Sequence, residues 1–273
     1  MKPPSGLIYN VSAGLMRRAC RYRRTWPIRL LGRACYLFYR GYENRDFDFR
    51  SNGEQRCLER LSRLSPRCAL DVGANVGDWT SLALRTWPEV TVHSFEIVPD
   101  NFHVLERNLQ GSSRVKLNPI GLSDVEAEID VHFSRSTHFR ASAFSMPDVP
   151  DTTVVKAKVM AGDSYVASRK IERIDYLKID VEGMEGAVLR GFRETLAAGR
   201  VRAVQFEYNT TNIVSGFLLR NAYDFLVPLG YRVGKLYPTY VDFRPYELSH
   251  EDFCGPNFIA VRADDKEVLA LLS

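Results

Sequence analysis

Two rhythms of apolar residues run along this chain. From Cys68 onward, short apolar runs of strand length alternate with segments of helical period. Cys68–Val72, Thr91–Glu96 and Val115–Ile120 predict strands, with helices over Asp78–Thr86 and Asp100–Leu109 between them. Next, Glu128–Phe133 and Thr153–Met160 predict two antiparallel strands flanking a polar loop. The alternation then resumes with Tyr176–Asp180 (strand), Met184–Ala198 (helix), Ala203–Tyr208 (strand) and Phe217–Leu229 (helix). Tyr231–Leu236 and Asn257–Arg262 read as late strands. Such a pattern implies an α/β fold: a mostly parallel, doubly wound sheet with right-handed crossovers and an inserted β-hairpin.

Residues 1–50 follow neither rhythm. Arg17, Arg18, Arg21, Arg23 and Arg24 precede a segment, Pro27–Arg40, that reads as a basic helix. Its apolar residues are Leu30, Leu31, Ala34, Leu37 and Phe38, and its charges are Arg29, Arg33 and Arg40. Asn52–Leu64 reads as a second helix leading into the core. The expected organisation is a basic N-terminal helical arm over 1–50 and one domain over 51–273.

Composition sharpens this only in part. A chain of 273 residues, 45% hydrophobic and 26% charged, suits one large soluble domain with an appended arm. No apolar stretch reaches the ~20 residues needed to span a bilayer. The net charge of +4 hides an asymmetry: residues 1–50 hold 11 Lys/Arg and 3 Asp/Glu, leaving 26 basic and 30 acidic residues in the rest. A mildly acidic body argues against a nucleic-acid partner. Cys20, Cys35, Cys57, Cys68 and Cys254 are odd in number, widely spaced and without a C-x-x-C pair. With no secretory-signal pattern at the start, reduced thiols in the cytoplasm are the expectation. The arm leaves two uses open. It can lie on the inner membrane surface as a peripheral contact, or it can pack on the domain, cover a cofactor or join a homodimer.

The run Asp71-Val-Gly73-Ala74-Asn75-Val-Gly77-Asp78 follows an apolar strand and opens a helix, where backbone N–H groups can approach a ligand. A dinucleotide pattern laid from Gly73 needs glycines at positions occupied by Asn75 and Asp78. A carboxylate at 78 would also repel a pyrophosphate. S-adenosylmethionine has no phosphate and carries a sulfonium and an ammonium, which Asp71 and Asp78 suit. A tight turn with a capping Asp is the bland alternative. Glu96 weighs against it: an acidic residue ending the next strand can accept ribose hydroxyl protons. Ser123-Asp124, after the third strand, could bond an adenine amino group or simply close a turn.

Tyr176-Leu-Lys178-Ile-Asp180-Val-Glu182-Gly183 places Lys178 and Asp180 on one face of a strand, and the following strand ends in Glu207. In a doubly wound sheet Asp71, Asp180 and Glu207 would converge beside the first strand. Clustered carboxylates need a cation: the ligand's own, Lys178, or a divalent metal of unknown identity. A structural ion pair at the sheet edge is the alternative. His138 lies in the inserted loop between Ser134 and Pro150 and is a further catalytic candidate, although a lone loop histidine is more often a surface residue.

At these residues the chain resembles the FkbM family of methyltransferases. The resemblance rests on Asp71-Val-Gly-Ala-Asn-Val-Gly77, Ser94-Phe-Glu96 with Pro99, Gly121-Leu-Ser-Asp124, and Leu177-Lys-Ile-Asp-Val-Glu-Gly183 continued by Val188-Leu-Arg-Gly191. Asn52-Gly-Glu54 and Gln205-Phe-Glu207 also fit, so it covers residues 50–262 and leaves the arm outside. It implies a Rossmann-like class I methyltransferase fold, S-adenosylmethionine as donor, and O-methylation of a sugar, polysaccharide or secondary metabolite. Asp71, Gly73, Ala74, Asn75, Gly77, Asp78, Glu96, Ile97, Ser123, Asp124 and Asp180 are then the expected cofactor residues. Asp180, Glu207, Lys178 and His138 are the expected catalytic ones. One departure is visible: the proline after Glu96 sits one place late, at Pro99, which weakens Ile97 as an adenine contact. A non-catalytic nucleoside-binding module on the same fold is the alternative function, and an NAD-dependent oxidoreductase is a distant third.

Overall fold

A computed structural model describes residues 6–134, 141–144 and 152–273. The chain forms two compact units, 1–43 and 44–273. In the first, helix α1 spans Gly6–Arg21 and α2 spans Trp26–Tyr42, the latter opened by Pro27 in its first turn. No residue of α2 is buried. No helix among the described residues is long and apolar enough to cross a membrane.

The second unit begins with α3 (Glu54–Leu61), followed by β1 (Cys68–Val72), α4 (Asp78–Thr86), β2 (Thr91–Phe95), α5 (Pro99–Asn108) and β3 (Val115–Asn118). Then come β4 (Gly121–Ser123), β5 (Ala127–Ser134), β6 (Ala141–Ser142), β7 (Thr152–Ala161) and α6 (Gly162–Ser168). The last part runs β8 (Ile174–Ile179), α7 (Glu185–Gly191), α8 (Arg193–Ala197), β9 (Val201–Glu207), α9 (Thr211–Ser215), α10 (Leu219–Leu226), β10 (Tyr231–Leu236), β11 (Val241–Phe243), β12 (Asn257–Arg262) and α11 (Lys266–Leu272).

The main sheet has the order β11-β10-β12-β9-β8-β1-β2-β3. Strands β3, β2, β1, β8 and β9 are parallel, and β12, β10 and β11 add antiparallel pairs at one edge. This is the doubly wound α/β fold that the sequence predicts. The chain leaves β1 toward β2 and β3 and later returns to β8 on the other side, so the carboxyl ends of β1 and β8 flank the switch point where ligands bind in such sheets. Asp180 N–H donates to Val72 O across that point at 2.9 Å.

Period two splits the strands into two faces. Leu70, Val72, Leu177, Ile179, Val204 and Phe206 pack with α6, α7, α8 and α10. On the other face Ala69, Tyr176, Ala203 and Ile259 pack with α3, α4 and α11, around Trp79 and Trp87. Trp87 is fully buried and donates its ring N–H to Leu58 O at 2.9 Å. Farther along that second face, toward the carboxyl ends, the same strands turn polar with Asp71, Lys178, Gln205 and Glu207, all buried.

Several expected boundaries are corrected. The strand expected to reach Ile120 stops at Asn118, because Pro119 has no N–H to continue the ladder. The chain then starts β4, so the expected hairpin of β5 and β7 is part of a four-stranded sheet, β4-β7-β5-β6. The single helix expected over Met184–Ala198 is two, α7 and α8, separated at Phe192. A Cβ on Gly191 would lie 1.8 Å from Ser123 O, so glycine there lets β4 close onto the end of α7.

Candidate active site

The turn after β1 needs three positive φ angles, 87° at Gly73, 49° at Asn75 and 92° at Gly77. At Gly73 no other residue fits, because a Cβ would sit 1.8 Å from Asp180 O. The backbone N–H groups of Gly73 and Ala74 donate to Phe95 O at 3.0 and 2.8 Å, locking the turn to the end of β2. Glu96 follows directly. Its two carboxyl oxygens accept from Asn75 N at 2.8 Å and Val98 N at 2.8 Å. Burial pushes this carboxyl up to about 7, against the opposing pull of the Val98, Asn75 and Ile97 backbone donors.

These residues line one side of a crevice of about 820 Å³, counted with its open mouth. Gly73, Asn75, Glu96, Ile97 and Asn101 form the β1–β2 side, and Asp180, Val181 and Glu182 form the β8 side. An apolar wall of Leu122, Ile129, Val131 and Val159 from the inserted sheet completes it. Ile97 is therefore in place despite the shifted proline, and Asn101 is a lining residue that the sequence did not disclose. The Asn75 side-chain oxygen is buried without a hydrogen-bond partner among the described residues.

Lys178 and Asp180 form the centre of the β8 side. Lys178 Nζ lies 2.8 Å from Asp180 Oδ2 and 3.8 Å from Asp71 Oδ1. Burial alone would lower the ammonium, but Asp180, Asp71 and Glu54 together raise it well above the usual lysine range. It is a fixed cation. Behind it lies a buried polar network: Gln205 Nε2 donates to Glu54 Oε2 at 2.7 Å and to Asn257 Oδ1 at 2.8 Å, and Tyr176 OH donates to Gln205 Oε1 at 2.7 Å. Glu54 of α3 thus anchors the sheet edge; its only trace in the sequence was the Asn52-Gly-Glu54 match.

Glu207 ends β9 and is 8% exposed. Burial first, then the charges of Asp180, Glu182 and Glu185, raise its carboxyl far above the usual carboxylate range. Its Oε2 and the nearby-in-sequence Thr211 hydroxyl are both buried with no hydrogen-bond partner among the described residues. Glu185 clamps the turn after β8, accepting from Val181 N at 3.3 Å, Gly183 N at 3.2 Å and Asn212 Nδ2 at 3.4 Å. Burial pushes it up to about 7. Ser142 Oγ donates to Glu182 O at 2.7 Å, which fastens the inserted sheet to the same turn.

Not every expected site residue reaches the crevice. Asp71 is fully buried behind the turn, where it accepts from Thr80 Oγ1 at 2.7 Å and faces Lys178; it orders the sheet rather than meeting a ligand. Ala74 packs on Leu105 and Leu109, and Gly77 caps α4 where a Cβ would strike Leu105. Asp78 is exposed on the first turn of α4. Ser123 is buried in β4, and the Asp124 carboxylate is taken by Arg190 of α7 at 2.8 Å, so the crevice wall comes from the preceding Gly121 and Leu122 instead. Lys178 and Glu207 stand behind Asp180 rather than on the lining. His138 lies outside the described residues. Among the described residues no His, Cys, Asp and Glu group is arranged to hold a metal ion.

Comparisons with known proteins identify the family. Residues 71–233 match the model of the methyltransferase FkbM domain, from the end of β1 through β9 and into β10. "Methyltransferase 1" of Beauveria bassiana is 28% identical over 141 residues, covering 45% of this chain and 57% of that protein, so the match spans little more than half of it. "2-O-methyltransferase NoeI" of Sinorhizobium fredii is 25% identical over 175 residues, covering 58% of this chain and 70% of that one. Among solved structures, the precorrin-6y C5,15-methyltransferase of Geobacter metallireducens is 14% identical with a TM-score of 0.40, covering 75% and 84% of the two chains. That likeness is too low to bear on activity, and the fold rests on the strand order itself. The chain belongs to the FkbM family of S-adenosylmethionine-dependent methyltransferases.

Proposed function

We propose that the protein methylates a hydroxyl oxygen of a sugar, polysaccharide or secondary metabolite, with Asp180 receiving the hydroxyl proton. The observation that carries this is the Asp180 carboxylate on the crevice wall, fixed at 2.8 Å by the buried Lys178 ammonium. The crevice suits the donor. Glu96 keeps a free lone pair on each backbone-bound oxygen for a ribose diol, the apolar wall suits adenine, and Glu182 on the β8 side suits the cationic amino-acid end. S-adenosylmethionine supplies an electrophilic methyl group on a sulfonium sulfur.

The chain's own part is positioning and proton transfer. An alcohol is a weak nucleophile, so a group in reach must accept its proton as the new bond forms. Asp180 has the position, and Lys178 holds its geometry. Burial and three neighbouring carboxylates disfavour the charge of Glu207, so it is not the resting base. The rest of the rate gain comes from alignment of acceptor oxygen and methyl carbon. The 2-O-methyltransferase name of the Sinorhizobium relative supports oxygen as the acceptor atom.

The test is transfer of labelled methyl to a panel of hydroxyl, amine and thiol acceptors, beside calorimetric titration with S-adenosylhomocysteine. Label in hydroxyl acceptors alone supports the reading. Tight binding with no product on any acceptor would instead favour a nucleoside-binding module without catalysis.

A further inference from the structure

We propose that α2 is a surface helix that docks this protein on anionic lipid headgroups. At 100° per residue, Arg29, Arg33 and Arg40 fall within about 40° of the helix circumference. The remaining arc is apolar and aromatic, and the helix has no acidic side chain. None of it is buried: Trp26 is 76%, Leu30 60%, Leu37 64% and Phe38 74% exposed. A stripe of large apolar side chains in water marks an interaction surface.

Charge decides the partner. Residues 1–43 hold nine Lys/Arg and one Asp/Glu, and Arg17, Arg18, Arg21, Arg23 and Arg24 immediately precede α2. A second copy of the chain would meet this surface with the same positive excess, which opposes self-association. A nucleic acid would satisfy the arginines but leave the wide apolar arc in water. An anionic bilayer satisfies both, with the apolar arc at the acyl boundary and the arginine stems reaching back to phosphates. Trp26, Tyr36, Tyr39 and Tyr42 have rings suited to headgroup depth. The helix does not cross; it is too short and too charged to do so and lies in the plane of the surface.

Trp26 provides the readout. The other two tryptophans, Trp79 and Trp87, are 5% and 0% exposed, so a change in emission on vesicle addition reports Trp26. Full-length protein is mixed with phosphatidylcholine vesicles, with or without phosphatidylglycerol, and followed by flotation and fluorescence. Flotation and a blue shift with the anionic vesicles only, weakened by salt, are expected. R29Q/R33Q/R40Q lowers partitioning roughly a hundred-fold, at about five-fold per arginine near an anionic surface. L30S/L37S/F38S removes the blue shift. Both variants keep wild-type affinity for S-adenosylhomocysteine, which shows that the domain is folded. Equal binding to both vesicle types, no binding to either, or a lipid-free dimer whose Trp26 emission vesicles do not change would each overturn the proposal.

Discussion

The two sides of the crevice are built by different physics. On the β1–β2 side the bonds run between two adjacent strand ends: Gly73 and Ala74 donate to Phe95 O, and Glu96 accepts from Asn75 and Val98. On the β8–β9 side the partners come from afar. Gln205 bonds Glu54, Asn212 bonds Glu185, and Ser142 of the inserted sheet bonds Glu182 O. The first side is closed by backbone donors, with the Asn75 side-chain oxygen left without a partner among the described residues. The second sets Asp180, Glu182 and Glu185 near Glu207 and leaves the Glu207 and Thr211 oxygens without partners among the described residues. A turn set by adjacent strand ends shows in local pattern, whereas a side assembled from distant segments and an insertion does not.

Gly73 joins the two sides, so its loss should have the largest effect. Gly73→Ala forces a Cβ into Asp180 O at a φ of 87°, straining the turn and displacing the carboxylate. The expected loss in kcat/KM is about a thousand-fold, from backbone strain and a misplacement worth about a hundred-fold by itself. Titration with S-adenosylhomocysteine should show weakened donor binding as well; wild-type binding would mean that the sides are not coupled there. Asp180→Asn separates them. Turnover should fall about a hundred-fold or more while donor affinity stays within a few-fold. Equal losses in both would return Asp180 to the donor side.

Much of this contrast was legible in the sequence. The parallel strands, the turn from Gly73 to Gly77 and the acidic end of β2 all follow from local pattern, because each depends on residues close together in the chain. What was missed depends on approach between distant segments. The close packing of β4 on the end of α7 sets Ser123 O against Gly191, a contact between segments far apart in the chain. Asp124 was read as a ligand contact, but Arg190 claims it from another element. Asp71 was read as a partner for the donor's cations, yet the turn buries it behind Gly73 beside Thr80. Glu54 had no reading of its own from charge pattern, since its partners Gln205 and Asn257 lie far along the chain.

Acidity sharpens the comparison further. The Glu96 carboxyl sits at about 7, and ribose hydroxyls are best accepted by its ionised form. Donor affinity should therefore fall as pH drops through 7, by about tenfold per unit below it. Glu96→Gln should flatten that dependence, and an unchanged profile would remove Glu96 from the donor site. Stability of the ligand-free protein moves oppositely. The folded carboxyl keeps its proton between its ordinary 4.5 and about 7, where the unfolded chain has lost it. That contribution is full below 4.5 and lost as pH rises through 7. Glu207→Gln should have the smallest effect, within about 0.5 kcal/mol in urea unfolding at neutral pH, because burial and the neighbouring carboxylates already disfavour a charge there. A loss of several kcal/mol would show that Glu207 is ionised and paired.

One measurement tests the central claim most directly: single-turnover transfer of labelled methyl from S-adenosylmethionine to the hydroxyl acceptor found by screening, in wild type and Asp180→Asn at matched donor saturation. The account predicts a base-stable ether product in wild type, and a rate lower by about a hundred-fold or more in the variant at unchanged donor affinity. Undiminished transfer by Asp180→Asn, or label found only on nitrogen or sulfur, would contradict it.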